Sequence, residues 1–171
     1  AQLVEVLRDA QSRDLLDREA KISRAAYTVA NVTPQKACEG LATFEVEGIA
    51  TMQSSIVPAT TDAPRHCRVS GVIAPEVAFE VNLPDRWNQR FYMIGNGGHA
   101  GEGLDDPGRA SQRVAALAQG FVMAQTNTGH DAAEEPLGSF AVNSQKLLDY
   151  AFRSLHVTAI TAKRIAAEFY G

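Results

Sequence analysis

The chain has 171 residues, 45% hydrophobic and 21% charged, which is the make-up of one globular domain rather than a fibrous, disordered or membrane-spanning protein. A net charge of −4 and 7% aromatic content offer no basic, ring-lined stripe for nucleic acid. No apolar run approaches the roughly 20 residues of a membrane span, and AQLVEVLR at the start lacks the basic-then-apolar pattern of a signal segment, so an exported protein would be present here in mature form.

In chain order, residues 1–26 place Leu3, Val4, Val6, Leu7, Leu15, Leu16, Ala20 and Ile22 among many charges, the pattern of an amphipathic helix or helix pair. Asn31, Val32 and Thr33 form a glycosylation sequon, which matters only in a eukaryotic source. Cys38 and Cys67 flank the stretch TMQSSIVPATTDAP (residues 51–64), whose Thr, Ser, Pro and Asp content reads as a loop. A disulfide closing it would stabilise the fold by about 3–4 kcal/mol in the loop-entropy picture. Two free thiols fit the spacing equally well, and no CxxC pattern points to a metal.

Short strands follow at residues 68–74 and 77–83, the second alternating Phe79, Val81 and Leu83 as a half-buried strand does. Pro84 and Asp85 turn the chain into a third strand, RFYMIG at residues 90–95, which runs into the glycine-rich loop NGGHAGEG. Residues 111–120 predict a helix with Val114, Leu117 and Ala118 on one face and Gly120 as its stop. FVMAQT at 121–126 predicts a strand buried on both faces, and 127–136 a loop. From Ser144 to Phe169 a helix places Leu148, Ala151 or Phe152, Leu155, Ala159, Ala162, Ala166 and Phe169 at three- and four-residue steps. Hairpin strands followed by strand, helix, strand and helix predict a mixed α/β sheet. The last helix has no strand after it, so the expected sheet has an open edge and the chain reads as a fragment or one of two pieces.

The glycine loop admits three readings. GNGGHA, Gly95 to Ala100, fits a relaxed dinucleotide fingerprint, G-x-G-x-x-A after a strand, as a fragment of an oxidoreductase would carry. Against it, EGLDDPG from Glu102 to Gly108 delays the helix and adds three acids, and the next strand ends in Gln125, Thr126 and Asn127 where a ribose-binding acid is needed. The second reading is an oxyanion hole of α/β-hydrolase type, in which glycine N–H groups turn towards the negative oxygen of acyl transfer. The third is a plain solvent turn in a non-catalytic fragment.

Three ordered blocks resolve the choice by resemblance: NLPDRWNQRFYMIGNGG at 82–98, GFVMAQTNTGHD at 120–131 and LDYAFRSLHVTAITAKRIAAEFYG at 148–171. Together they closely resemble the N-terminal part of the tannase and feruloyl esterase family. The resemblance covers about residues 37–171, which it makes the N-terminal part of an α/β-hydrolase catalytic domain, and leaves residues 1–36 as a helical arm. It implies a secreted or periplasmic serine esterase with an inserted lid, acting on esters of aromatic acids of feruloyl, galloyl or terephthaloyl type. It implies the family's N-terminal disulfide at Cys38 and Cys67, and the oxyanion-hole backbone N–H at Gly98, with Gly97 and His99 as substrate-side neighbours.

The family's nucleophile sits in a G-C-S-x-G-G elbow beyond the FYG that ends the third block, and no G-x-S-x-G occurs in the chain. The serine, the rest of the triad, the lid and the calcium it carries are therefore expected outside these 171 residues. The expected partners are a small aromatic ester and the remainder of the enzyme. Of the histidines, His130 is expected to orient its loop rather than act as base, because the triad histidine follows the serine in hydrolases. His156, beside Leu155, is expected in the core, and His66 has no assigned role.

Overall fold

A computed structural model describes residues 29–171, and the body treated below is the unit Asn31–Gly171. The helix expected over residues 1–26 lies outside the described residues.

Five strands form one sheet in the order β1-β2-β3-β5-β4. They are β1 (Ile49–Val57), β2 (His66–Ile73), β3 (Val77–Pro84), β4 (Phe91–Met93) and β5 (Val122–Thr126). The first three make an antiparallel meander, β3 pairs antiparallel with β5, and β4 pairs parallel with β5. A parallel pair needs a crossover, and helix α1 (Pro107–Ala118) supplies it. The mixed sheet with flanking helices is thus the architecture expected from the sequence.

One strand was hidden in the sequence. The stretch read as a loop between the cysteines contains most of β1, whose burial alternates because Met52 and Ile56 pack on the core while Gln53 and Ser55 face outward. An edge strand tolerates the polar content that argued against it.

Val69, Phe79, Val81 and Leu83 line one face of the sheet, where helix α3 (Ser154–Tyr170) covers them with Ala162, Ile165, Ala166 and Phe169. Fully burying each such large side chain contributes roughly 1.5–3 kcal/mol. A 3₁₀ turn, Cys38–Thr43, adds Leu41 to this core and is tied to β2 by the disulfide Cys38–Cys67, with Cα atoms 5.6 Å apart. The bridge settles the choice that cysteine spacing left open.

Strand β3 is buried on both faces, not half-buried. Its second face carries Glu80, 6% exposed, whose carboxylate accepts from Asn82 Nδ2 at 2.8 Å, Gln125 Nε2 at 3.1 Å and Arg113 Nη1 at 3.3 Å. Arg68 Nε lies 3.5 Å from its other oxygen. A buried carboxylate persists when cations and donors surround it in this way.

The C-terminal helix departs from the simple periodic picture. Helix α2 (Ser144–Leu148) passes into a π-helical turn at Asp149–Arg153 before α3 begins. The residues α3 turns inward near its start are Ser154, Thr158 and Thr161, while Leu148, Phe152 and Leu155 are exposed. The apolar row expected to face the core thus points outward over its first half. His156 is exposed with it, not a core histidine. A π-turn inserts one extra residue and rotates the preceding side chains relative to those that follow, which a 3.6-residue count cannot register.

Candidate active site

The glycine loop leaves the carboxyl end of β4, and the loop Asn127–Pro136 leaves the carboxyl end of its parallel neighbour β5. In open α/β sheets this is the edge where ligands bind. The two loops are joined by named contacts. Asn96 Nδ2 donates to Thr126 O at 3.1 Å, Arg109 Nη1 donates to the same carbonyl at 3.0 Å, and Ala132 N donates to Gly101 O at 2.9 Å.

The acids that sequence reading counted against a phosphate have structural duties. Glu102 Oε2 accepts from Arg109 Nη2 at 2.6 Å, and Arg109 is itself buried. Asp106 caps α1 by accepting from Gly108 N at 2.7 Å, with Pro107 as the first helical residue. The helix therefore begins four residues before the expected start, and its N-terminus is occupied by its own cap. Gln125 Nε2 holds the loop's Leu104 carbonyl at 2.6 Å.

Within the loop, Ala100 N donates to Gly97 O at 2.9 Å and closes a tight turn. Gly98 occupies its first central position at φ +56°, the left-handed value that primed turns require and glycine supplies at low cost. Gly98 and His99 are exposed, and neither backbone N–H has an acceptor among the described residues. On the other side, the hydroxyl of Tyr150 donates to Gly98 O at 2.7 Å.

Gly101, at φ +82°, is the loop's tightest point, since a Cβ there would lie 2.6 Å from His130 Nε2 and 2.8 Å from Ala132 N. His130 is buried, stacked on Phe140 with centroids 3.9 Å apart and edge-on to Tyr150 at 6.0 Å. Its Nδ1 lies 3.4 Å from Thr128 Oγ1. The ring sits beneath the glycine loop as a support.

The sequence-derived residues Gly97, Gly98 and His99 therefore fall together on one exposed turn beyond the carboxyl end of β4. His66 lies elsewhere, buried at the start of β2 with Nδ1 2.9 Å from Pro64 O. Burial holds its pKa below the ordinary value, with the Pro64 carbonyl opposing and Arg68 assisting. Sequence reasoning missed Tyr150, Asn96 and Arg109. The cap at Asp106 and Pro107 was the signal available for the helix start, whereas a contact spanning 52 residues leaves none.

Comparison with known proteins agrees with this fold. The family model described as tannase and feruloyl esterase matches residues 61–171. Mono(2-hydroxyethyl) terephthalate hydrolase of Piscinibacter sakaiensis is 34% identical over 134 residues, covering 67% of this chain and 22% of that protein. Feruloyl esterase B of Aspergillus niger is 31% identical over 154 residues, covering 88% of this chain and 27% of the esterase. The crystal structure of feruloyl esterase B from Aspergillus oryzae superposes with a TM-score of 0.57 at 22% identity, over 78% of this chain and 30% of that one. The chain thus spans between a fifth and a third of each of these three proteins. With the family model matching 111 of its 171 residues, the chain belongs to the tannase and feruloyl esterase family.

Proposed function

We propose that this chain supplies the oxyanion-hole loop of a carboxylic-ester hydrolase that works through a serine acyl-enzyme and acts on esters of aromatic acids. The observation that carries the reading is the exposed turn whose N–H groups at Gly98 and His99 have no acceptor among the described residues, held at the carboxyl edge of parallel strands. Feruloyl, galloyl or terephthaloyl esters are the proposed substrate class, in keeping with relatives named for feruloyl esters and for mono(2-hydroxyethyl) terephthalate.

A serine in the remainder of the enzyme, whether a C-terminal continuation or a second polypeptide, adds its oxygen to the ester carbonyl carbon. A histidine there takes the serine proton. The carbonyl oxygen becomes an oxyanion facing the Gly98 N–H, with Gly97 and His99 on the substrate side. Collapse expels the alcohol, which recovers the proton from the histidine, and water repeats the sequence to release the acid. His130 takes no part in proton transfer and keeps the loop in place.

The disulfide Cys38–Cys67 favours an oxidising location, secreted or periplasmic. None of the described helices is long and apolar enough to cross a membrane. A calcium, which the family resemblance implies for a lid, would find no donor set among the described residues, where no three His, Cys, Asp or Glu side chains converge on a metal position. No step here runs through it.

The test is Gly98→Pro in the enzyme that contains this chain, assayed on feruloyl, galloyl and p-nitrophenyl esters. Proline deletes the N–H and forbids the positive φ, so turnover is expected to fall far more than KM rises. Unchanged turnover would remove Gly98 from the mechanism.

A further inference from the structure

We infer that Tyr150 is a positioning residue of the oxyanion loop, its hydroxyl locking the peptide between Gly98 and His99 in the orientation that presents N–H groups to substrate. The inference rests on the oxyanion-loop reading above and deepens it.

A trans peptide carries its C=O and N–H on opposite sides, so fixing the carbonyl fixes the amide. In this turn two successive carbonyls are fixed. Gly97 O accepts from Ala100 N, which orients the Gly98 N–H, and Gly98 O accepts from the Tyr150 hydroxyl, which orients the His99 N–H. The first bond is local to the turn and forms with it. The second comes from a different element, and without it the 98–99 peptide is free to rotate, because Gly98 lacks a Cβ and meets nothing within 4 Å where one would stand. A rotated peptide would offer the substrate oxygen a carbonyl in place of an N–H.

The placement of Tyr150 looks built for this contact. It lies in the π-helical turn Asp149–Arg153, and such insertions re-aim side chains and recur at functional sites. Its ring is held by Phe140, centroids 4.9 Å apart, and by the edge contact with His130. Asp149 anchors the turn beside it, buried and paired with Arg153 Nη1 at 2.6 Å. The same aromatic cluster therefore supports the glycine loop twice, through His130 beneath Gly101 and through Tyr150 on Gly98.

The test is Tyr150→Phe in the complete enzyme, which keeps the ring and deletes only the hydroxyl. Turnover is expected to drop about tenfold or more with KM within about twofold, because a mis-set donor is felt in the transition state. An aryl boronic acid, whose serine adduct places an oxygen in the oxyanion hole, should lose affinity in the same proportion, while the product acid binds as before. Hydrogen exchange of residues 95–103 should quicken in the variant at unchanged melting temperature. If Gly98→Pro abolishes turnover while Tyr150→Phe alters neither turnover, boronate affinity nor exchange, the positioning role is overturned and the oxyanion loop stands. If neither substitution alters turnover, both readings fall. Should Tyr150→Phe lower the melting temperature substantially, Tyr150→His, which restores a ring donor, must recover boronate affinity relative to Tyr150→Phe, and failure to do so also overturns the role.

Discussion

Between Gly95 and His99 the glycine loop is largely exposed and none of its backbone N–H groups has an acceptor among the described residues, whereas from Ala100 to Asp106 the same loop is bolted to the body. Glu102 is paired with buried Arg109, the Leu104 carbonyl is held by Gln125, and Asp106 caps α1. His130 fills the space a Cβ on Gly101 would need. The difference teaches where rigidity comes from in the proposed oxyanion site, whose donor atoms must remain available. A donor aimed at a developing charge cannot also be satisfied by the protein, so neighbouring residues must do the holding.

That contrast can be broken at its sharpest points. The largest effect is expected for Gly98→Pro, with turnover down by about 10²–10³-fold, the usual range for one lost oxyanion donor, and a smaller loss of folding stability, about 1–2 kcal/mol by urea titration, because proline cannot hold φ +56°. Next comes Gly101→Ala, which should do the reverse. The Cβ would meet His130 and Ala132 N at under 3 Å in a left-handed backbone, so unfolding free energy should drop by about 3 kcal/mol. A stable Gly101→Ala enzyme would show that the clamped half is not clamped.

Smaller effects sharpen the boundary between the halves. Glu102→Gln weakens the hold on Arg109, and because the Glu102 side chain is 38% exposed the expected loss is about 1–2 kcal/mol by the same titration. Gly97→Ala is the quiet control, with nothing within 4 Å of the new carbon and no positive φ to strain, so stability should stay within about 0.5 kcal/mol.

Much of this was legible in the sequence, for identifiable reasons. The alternation of Phe79, Val81 and Leu83 and the continuous run in β5 gave the central strands, because burial on a pleated face leaves a period of two and burial on both faces leaves none. The disulfide and the Gly97, Gly98 and His99 turn were reached through family resemblance, not from spacing. Strand β1 was obscured because an edge strand exposes polar side chains. The start of α1 was misplaced because Pro107 was read as an interruption when it is a first-turn residue behind an Asp cap. The misjudged face of the last helix and the buried position assigned to His156 share one cause, a π-turn that shifts the phase of the pattern. Tyr150 was out of reach because its partner is 52 residues away.

The carboxylate buried on β3 bears on how the sheet avoids assembly errors. Sliding β3 by one residue would bring Glu80 round to the side packed by Ala162 and Ile165, and the apolar alternation alone forbids that. Sliding by two keeps every hydrophobic side chain on its proper side, so alternation cannot detect it. Glu80 can, because its pairing opposite Ser70 and Gln125 is what brings it within reach of Arg68, Arg113 and Gln125 together. In the even-numbered misalignments that oil-and-water patterning leaves unpunished, a charge would be stranded away from its cations, at a cost on the order of 3–5 kcal/mol. One acid thus proofreads the threading that carries β5, and with it both loops of the site, to their places.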